Sequence, residues 1–384
     1  MYKKIILSFF MILALVGCTA TVKSNDQPVK QEYIRSVWIS YYELSQFTED
    51  NDEHQFKKEI TKAFKELKTN GFNRVTVQVR PFADAFYRSS YFPSSAYCFK
   101  TQGADMPYDP LEIMVDAAHR LNLSIEAWVN PYRVSSSTDF RELCQDNIAL
   151  TYKDTDNLII CDSGIYFNPA SNAVTELIVN GIKEIAENYS VDSICFDDYF
   201  YPSTDKEIDE NSYNAYKEKG GEASLEDFRR ENVSDMVASA YKAVKSVNPE
   251  ITFGISPVSS VEINYNTLYA DVEKWVTNEG YVDYICPQIY FGFQNENQPF
   301  MATVKKWCEM AECTLYIALP LYKSGLEDEF AGESGMNEFV ENNNIIERQV
   351  IYLSKLDKIN GFYIFSYSSL KDNDETSNLY SAMQ

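Results

Sequence analysis

The chain alternates two hydrophobic periods from Ser36 to its end. Short runs with β-branched and alternating apolar residues read as strands, and longer runs spaced three and four apart read as helices. Ser36–Tyr41 is the first predicted strand. His54–Thr69 follows as a helix with Phe56, Ile60, Phe64 and Leu67 on one face, stopped by Asn70-Gly71. Arg74–Arg80 is the second strand, with Val75, Val77 and Val79 alternating. Asp109-Pro110 opens a helix through Leu121, Asp as N-cap and Pro in the first turn. Ser124–Asn130 is the third strand. Asn168-Pro169 opens a helix to Tyr189 in the same way, and Asp192–Asp198 is the fourth strand.

The rhythm then repeats. Predicted strands at 251–256, 282–288, 315–319 and 361–366 alternate with predicted helices at 225–247, 268–278, 299–311 and 345–359. Eight strands separated by helices predict an α/β fold, a (β/α)8 TIM barrel. An open doubly wound sheet is the alternative, but no G-x-G-x-x-G follows any strand. The long segments 81–108, 131–167 and 200–223 follow strands two, three and four, which puts them on the face where such barrels carry their sites. The turns on the other face are short.

The first residues change the picture of where the chain goes. Lys3 and Lys4 precede the apolar run 5–16, too short to span a membrane as a mature helix. It ends in Leu15-Val16-Gly17-Cys18, similar to a bacterial lipobox, which implies residues 1–17 as a signal peptide and lipid on Cys18. An ordinary secretory signal with an incidental cysteine is the alternative. Polar residues 18–32 read as a tether and 33–384 as the barrel domain, exported and held at the membrane facing the cell envelope or exterior.

Charge and chemistry narrow the partners. The net charge of −23 argues against nucleic acid, whose phosphates would be repelled. No cofactor motif is present. His54 and His119 are the only histidines, both on predicted helices, and no C-x-x-C pair occurs, so no metal is expected. The seven cysteines beyond Cys18 give no disulfide framework, with Cys308/Cys313 left open as a pair. Oligomeric state is not legible.

The strand ends supply the candidate site: Trp38, Arg80, Asp84, Glu126, Trp128, Asn130, Arg133, Asp197, Asp198, Tyr199, Gln288 and Tyr290. Carboxylates for a glycosidic oxygen, rings for sugar faces and amides for hydroxyls describe carbohydrate chemistry. Individually, each residue also has a structural reading, such as satisfying loop backbone. On the fourth strand, bulky Ile194 and Phe196 should face the helices, which turns Ser193, Cys195 and Asp197 toward the barrel axis. Two carboxylates as close as Asp197 and Asp198 do not both ionise readily, which yields an acid and a base at one pH.

Several segments together resemble the glycosyl hydrolase-like ten family: Arg35–Ile39, Asn73–Pro81, Ala83–Ala85, Tyr108–Leu111, Glu126–Arg133, Phe167–Pro169, Phe196–Pro202, Gly254–Pro257 and Pro287–Tyr290. The resemblance runs in order from Tyr33 to Leu321 and implies a TIM-type barrel in exported bacterial proteins, often lipoproteins. It also implies cleavage of cell-wall glycan, peptide-free peptidoglycan strands above all, with Asp197, Asp198, Arg80, Asp84, Asn130, Tyr199 and Gln288 as site positions.

Strand four is also similar, more distantly, to the D-x-x-D-x-D-x-E pattern of chitinase-like hydrolases. Counting from Asp192, Cys195 replaces the second acid and Tyr199 the glutamate. Other hexosaminidases use two adjacent acids there, one orienting the substrate's 2-acetamido group for attack and one protonating the leaving oxygen, an exception to the two-carboxylate scheme. Two rivals remain open: a direct nucleophile with Glu126 or Asp84 as a distant acid, and a non-catalytic glycan-binding lipoprotein on the same scaffold.

Overall fold

In the computed structural model, residues 32–48 and 52–384 are described, and Tyr33–Gln384 forms one compact unit. The signal peptide, Cys18 and the tether lie outside the described residues.

Eight parallel strands close a barrel: β1 (Ile34–Ile39), β2 (Arg74–Arg80), β3 (Ser124–Val129), β7 (Ser193–Phe196), β8 (Thr252–Ile255), β9 (Tyr284–Ile285), β10 (Thr314–Leu319) and β11 (Ile359–Ile364). β1 pairs with both β2 and β11, which completes the circuit. Helices cover the outside, and the eight-strand TIM barrel expected from the pattern is the fold. Alternate residues separate the two cores. Val75, Val77, Val79, Ile194 and Phe196 pack outward, whereas Ile34, Trp38, Trp128, Cys195, Tyr284, Tyr316 and Tyr363 cluster inside.

Several boundaries shift for local reasons. Tyr41 leaves the first strand and starts the helix Tyr41–Thr48. The helix expected to open at Asn168-Pro169 begins at Asn172, where Ser171 accepts from the Val174 amide, while Asn168 closes its own turn by accepting from the Ala170 amide. The helix expected from Leu268 starts at Val272, capped by Asp271. β9 keeps two residues because Pro287 has no amide hydrogen, and the path continues as isolated bridges from Gln288 to Val258 and Ala318.

The long segment after β3 contains a second sheet, β4 (Arg133–Ser135), β5 (Leu158–Cys161) and β6 (Gly164–Phe167), in the order β4-β6-β5. β5 and β6 form a hairpin whose pairing ends at Cys161↔Gly164, around Asp162-Ser163. Gly164 sits at φ 128, which side chains avoid, and an added Cβ would lie 2.1 Å from the Ser135 carbonyl. The segment after β7 carries a further helix, Glu210–Glu218. It is tied down by Arg229, whose guanidinium pairs with Asp209, both side chains fully buried, and lies over the Tyr201 and Tyr269 rings.

Candidate active site

β7 stops at Phe196, and the next residues turn over the barrel mouth. Parity carries Ser193, Cys195 and Asp197 inward: Ser193 Oγ donates to Glu126 Oε1 at 2.8 Å, and Asp197 Oδ2 accepts from Trp128 Nε1 at 2.8 Å. The Tyr199 amide donates to Asp197 Oδ1 at 3.4 Å. Asp197 is buried, and Asp198 beside it is half-buried.

This setting fixes the protonation of the pair. Burial raises the Asp197 carboxyl to about 8, and the Asp198 charge adds to the rise; the Trp128 hydrogen bond, the Tyr199 amide and Arg133 pull the other way. Burial also raises Asp198, opposed by its own backbone amide, the Gln288 side chain and Arg133. The pair therefore retains one proton across neutral pH, and that titration belongs to both groups.

The mouth around the carboxylates is aromatic. Trp38 meets Trp128 edge-on at 4.7 Å, and its own Nε1 has no partner. Across the mouth, Tyr290, Tyr322 and Phe365 form a triangle with centroids 5.8–5.9 Å apart. Phe365 was not anticipated, although it continues the inward parity of Tyr363 on β11. On the other flank Arg133 lies between the Phe82 ring (4.6 Å) and the Tyr199 ring (4.8 Å). Gln288 Nε2 donates to the Ser256 carbonyl at 2.9 Å, which aims its amide at Asp198. Asn130 is buried, with neither amide atom hydrogen-bonded. Trp38, Trp128, Arg133, Tyr199, Gln288 and Tyr290 are thus gathered with Asp197 and Asp198, and Asn130 follows β3 two residues after Trp128.

Three expected site residues are placed elsewhere. Glu126 lies below the mouth in the barrel interior, fully buried. It accepts from Thr76 Oγ1 (2.9 Å), Ser193 Oγ (2.8 Å), the Tyr363 hydroxyl (3.2 Å) and the Tyr284 hydroxyl, and it pairs with Arg74 at 3.4 Å. Four of these five donors converge on Oε1 and Thr76 holds Oε2, so Glu126 ties the barrel interior together. Arg80 is turned outward by a register shift between Gln78 and Arg80 in the β2–β3 pairing. Its guanidinium lies 4.5 Å from the Phe92 ring, so close to the Asn172–Asn188 helix that a Cβ on Gly181 would approach Nη1 to 2.9 Å. Burial lowers its pKa to about 10. Asp84 is buried in the loop after β2, where Gln102 Nε2 donates to Oδ2 at 3.0 Å; Gln102 Oε1 accepts in turn from the Cys144 amide and Asn147 Nδ2. Asp84 thereby stitches the loops after β2 and β3 together, and burial raises it to about 6.

Among the described residues no group of three His, Cys, Asp or Glu side chains is arranged to hold a metal ion. His119 pairs with Asp192 at 3.0 Å on the opposite end of the barrel, and Cys98, Cys144, Cys161, Cys195, Cys286, Cys308 and Cys313 are free thiols.

A family model described as glycosyl hydrolase-like 10 matches residues 33–352. The chain belongs to the glycosyl hydrolase-like 10 family. Its relatives include glycosyl hydrolase YngK of Bacillus subtilis (strain 168), 32% identical over 340 residues, covering 83% of this chain and 64% of the relative. Glycosyl hydrolase DigH of Escherichia coli (strain K12) is 30% identical over 338 residues, covering 80% and 76%. The chain thus spans 64%, less than two thirds, of the Bacillus relative's length. The barrel also resembles the glycoside hydrolase domain of PgaB (BpsB) from Bordetella bronchiseptica, with a TM-score of 0.62 at 11% identity over 91% of this chain and 99% of that one. The catalytic domain of beta-amylase from Paenibacillus polymyxa gives 0.57 at 13% identity over 92% and 98%. At such identities the likeness is one of fold. Within the glycosyl hydrolase-like 10 match lie Asp197, Asp198 and every residue of the mouth named above except Phe365.

Proposed function

We propose that the protein is a glycoside hydrolase that cleaves N-acetylated glycan strands of the bacterial cell wall, peptide-free peptidoglycan above all. The observation that carries this reading is the Asp197–Asp198 pair, buried enough to keep one proton at neutral pH and set in an aromatic mouth at the strand ends.

The two carboxylates divide the work by exposure. Asp198 is half-buried and reaches outward, so it delivers the shared proton to the leaving glycosidic oxygen. On binding, the substrate's 2-acetamido N–H donates to Asp197, which the Trp128 indole already fixes; both bonds favour its ionised form and leave the pair's proton on Asp198. The substrate's bond aims the acetamido carbonyl oxygen at the anomeric carbon. The oxygen bonds there as the glycosidic bond breaks, and the leaving oxygen takes the proton. Water then opens the cyclic intermediate, and its proton returns to the pair. The free amide of Asn130 and the indole N–H of Trp38 are available to sugar hydroxyls or to the acetamido group.

Export and tethering to the membrane by lipid on Cys18 are part of the same proposal and rest on the N-terminal sequence. Labelling with a fatty-acid analogue, lost in Cys18→Ala, tests the anchor. The activity is tested by incubating purified protein with peptide-free glycan strands. New reducing ends are expected from the wild type, with losses of at least about 100-fold in Asp197→Asn and Asp198→Asn. Strands left intact by the wild type overturn the proposal.

A further inference from the structure

The aromatic flank does not end at the catalytic mouth. From Tyr199 it continues to Arg133 (4.8 Å), Phe82 (4.6 Å), Tyr97 (6.1 Å, near-parallel at 19°) and Tyr42 (5.4 Å, edge-on). These residues come from the segments after β7, β3, β2 and β1, so the ladder crosses four successive strand ends. Four steps of this length reach well beyond a single sugar ring.

The outer end is built to be rigid and open at once. Tyr42 is 59% exposed, yet its ring is held by Tyr41 at 4.3 Å as well as by Tyr97. The hydroxyls of Tyr41 and Tyr97 approach its own and hold its pKa below the usual phenol value. A fixed ring with a free face and a polar edge matches a pyranose, which presents C–H groups on its face and hydroxyls around its rim. Beside the ladder, a cavity of about 190 Å³ is lined by Phe82, Tyr97, Gln102, Ser135, Ser136 and Glu142, which offers polar groups to a ring substituent. An exposed tyrosine alone is ordinary on a protein surface. Its continuity with the mouth through stacked rings and a guanidinium separates this one from that background.

We infer that Tyr42 and Tyr97 form a distal glycan subsite, so that the enzyme holds a strand across β7, β3, β2 and β1 and favours long chains over short ones. The inference rests on the proposed glycosidase reading for its ligand. It assigns a substrate-length preference to two tyrosines, with Tyr42 as the outermost platform.

The test compares Tyr42→Ala, Tyr42→Phe and wild type on peptide-free glycan strands and on a short chromogenic N-acetylhexosaminide. The ratio of kcat/KM for long over short substrate should fall about tenfold in Tyr42→Ala and much less in Tyr42→Phe, which keeps the ring. Binding of long strands to an Asp197→Asn background, read by tryptophan fluorescence, should weaken by a similar factor when Tyr42→Ala is added. An unchanged ratio together with unchanged affinity overturns the subsite. A wild type that binds strands through Tyr42 without cleaving them overturns the glycosidase reading and leaves the subsite standing.

Discussion

Trp128 Nε1 donates to Asp197 Oδ2 at 2.8 Å, and this bond favours the ionised carboxylate against its burial. Removing the donor in Trp128→Phe should therefore raise the titration of the pair above its present value of about 8. The alkaline limb of kcat/KM should move to higher pH while kcat falls by about 10- to 100-fold, because the carboxylate also loses its aim. A pH–rate profile checks both. A lower limb, or none in the accessible range, contradicts this role for the indole.

The same carboxyl makes stability depend on pH. Its folded pKa of about 8 lies above the value of about 3.9 for an unfolded Asp, so the native state holds more protons between the two. The stabilisation is fully present below about pH 4 and is lost as pH rises through about 8. Asp197→Asn removes that titration and can still accept from Trp128. Its Tm should match the wild type near pH 4 and exceed it by several degrees near pH 8.5, as read by thermal melts across pH. Parallel curves argue against a buried, shifted Asp197.

Glu126 separates a structural from a chemical carboxylate. Glu126→Gln leaves Arg74 buried beside a neutral partner, which should cost about 3–5 kcal/mol. The fraction that remains folded should turn over substrate at close to the wild-type kcat, since Glu126 is fully buried and bonded to Thr76, Ser193, Tyr284 and Tyr363 in the barrel interior. Denaturant melts and active-site-normalised kinetics read the two effects. A folded variant that has lost turnover makes Glu126 part of the chemistry.

What the sequence made legible follows from periodicity and parity. β2 is found at its predicted bounds because Val75, Val77 and Val79 leave one reading, and Asp197 faces inward because Ile194 and Phe196 need the outer core. Arg80 shows where parity fails: a single register shift against β3 turns it outward, and no residue type announces the shift. Glu126 and Asp84 were misplaced for another reason. A carboxylate near a strand end looks the same in sequence whether it faces a cleft or a closed set of donors. The hairpin of β5 and β6 does carry a signal, two apolar runs around Asp162-Ser163, inside the long segment 131–167. The distal ladder has none, because Tyr42, Tyr97 and Arg133 come from three separate segments, after β1, β2 and β3, and meet only through the course of those segments over the strand ends.

Arg229 should act as the latch on the segment that follows the catalytic pair. It joins Asp209 and the Asp205 carbonyl to the Leu225–Val247 helix, between the Tyr201 and Tyr269 rings. Arg229→Met strands Asp209 as a buried charge, at a cost of about 3–5 kcal/mol. Proteolytic nicking within residues 203–222 should accelerate more than cleavage elsewhere, because the helix Glu210–Glu218 has no buried residue of its own to hold it. Uniform acceleration across the chain would mean that Arg229 supports the whole barrel instead.

The division of labour between the carboxylates predicts how the substrate must be built. If the acetamido oxygen is the nucleophile, a strand carrying a 2-hydroxyl in its place offers nothing to attack the anomeric carbon. Its kcat/KM should fall at least about 100-fold even where it binds. Electron-poor acetamides should slow the wild type progressively, because the carbonyl oxygen becomes a weaker nucleophile. The two displacements each invert the anomeric carbon, so the first-formed product should carry the substrate's own anomeric configuration, as followed by proton NMR before mutarotation. A product of opposite configuration, or a 2-hydroxyl substrate cleaved at full rate, removes the acetamido group from the mechanism. Asp197 would then have to serve as a direct nucleophile or as a base for water.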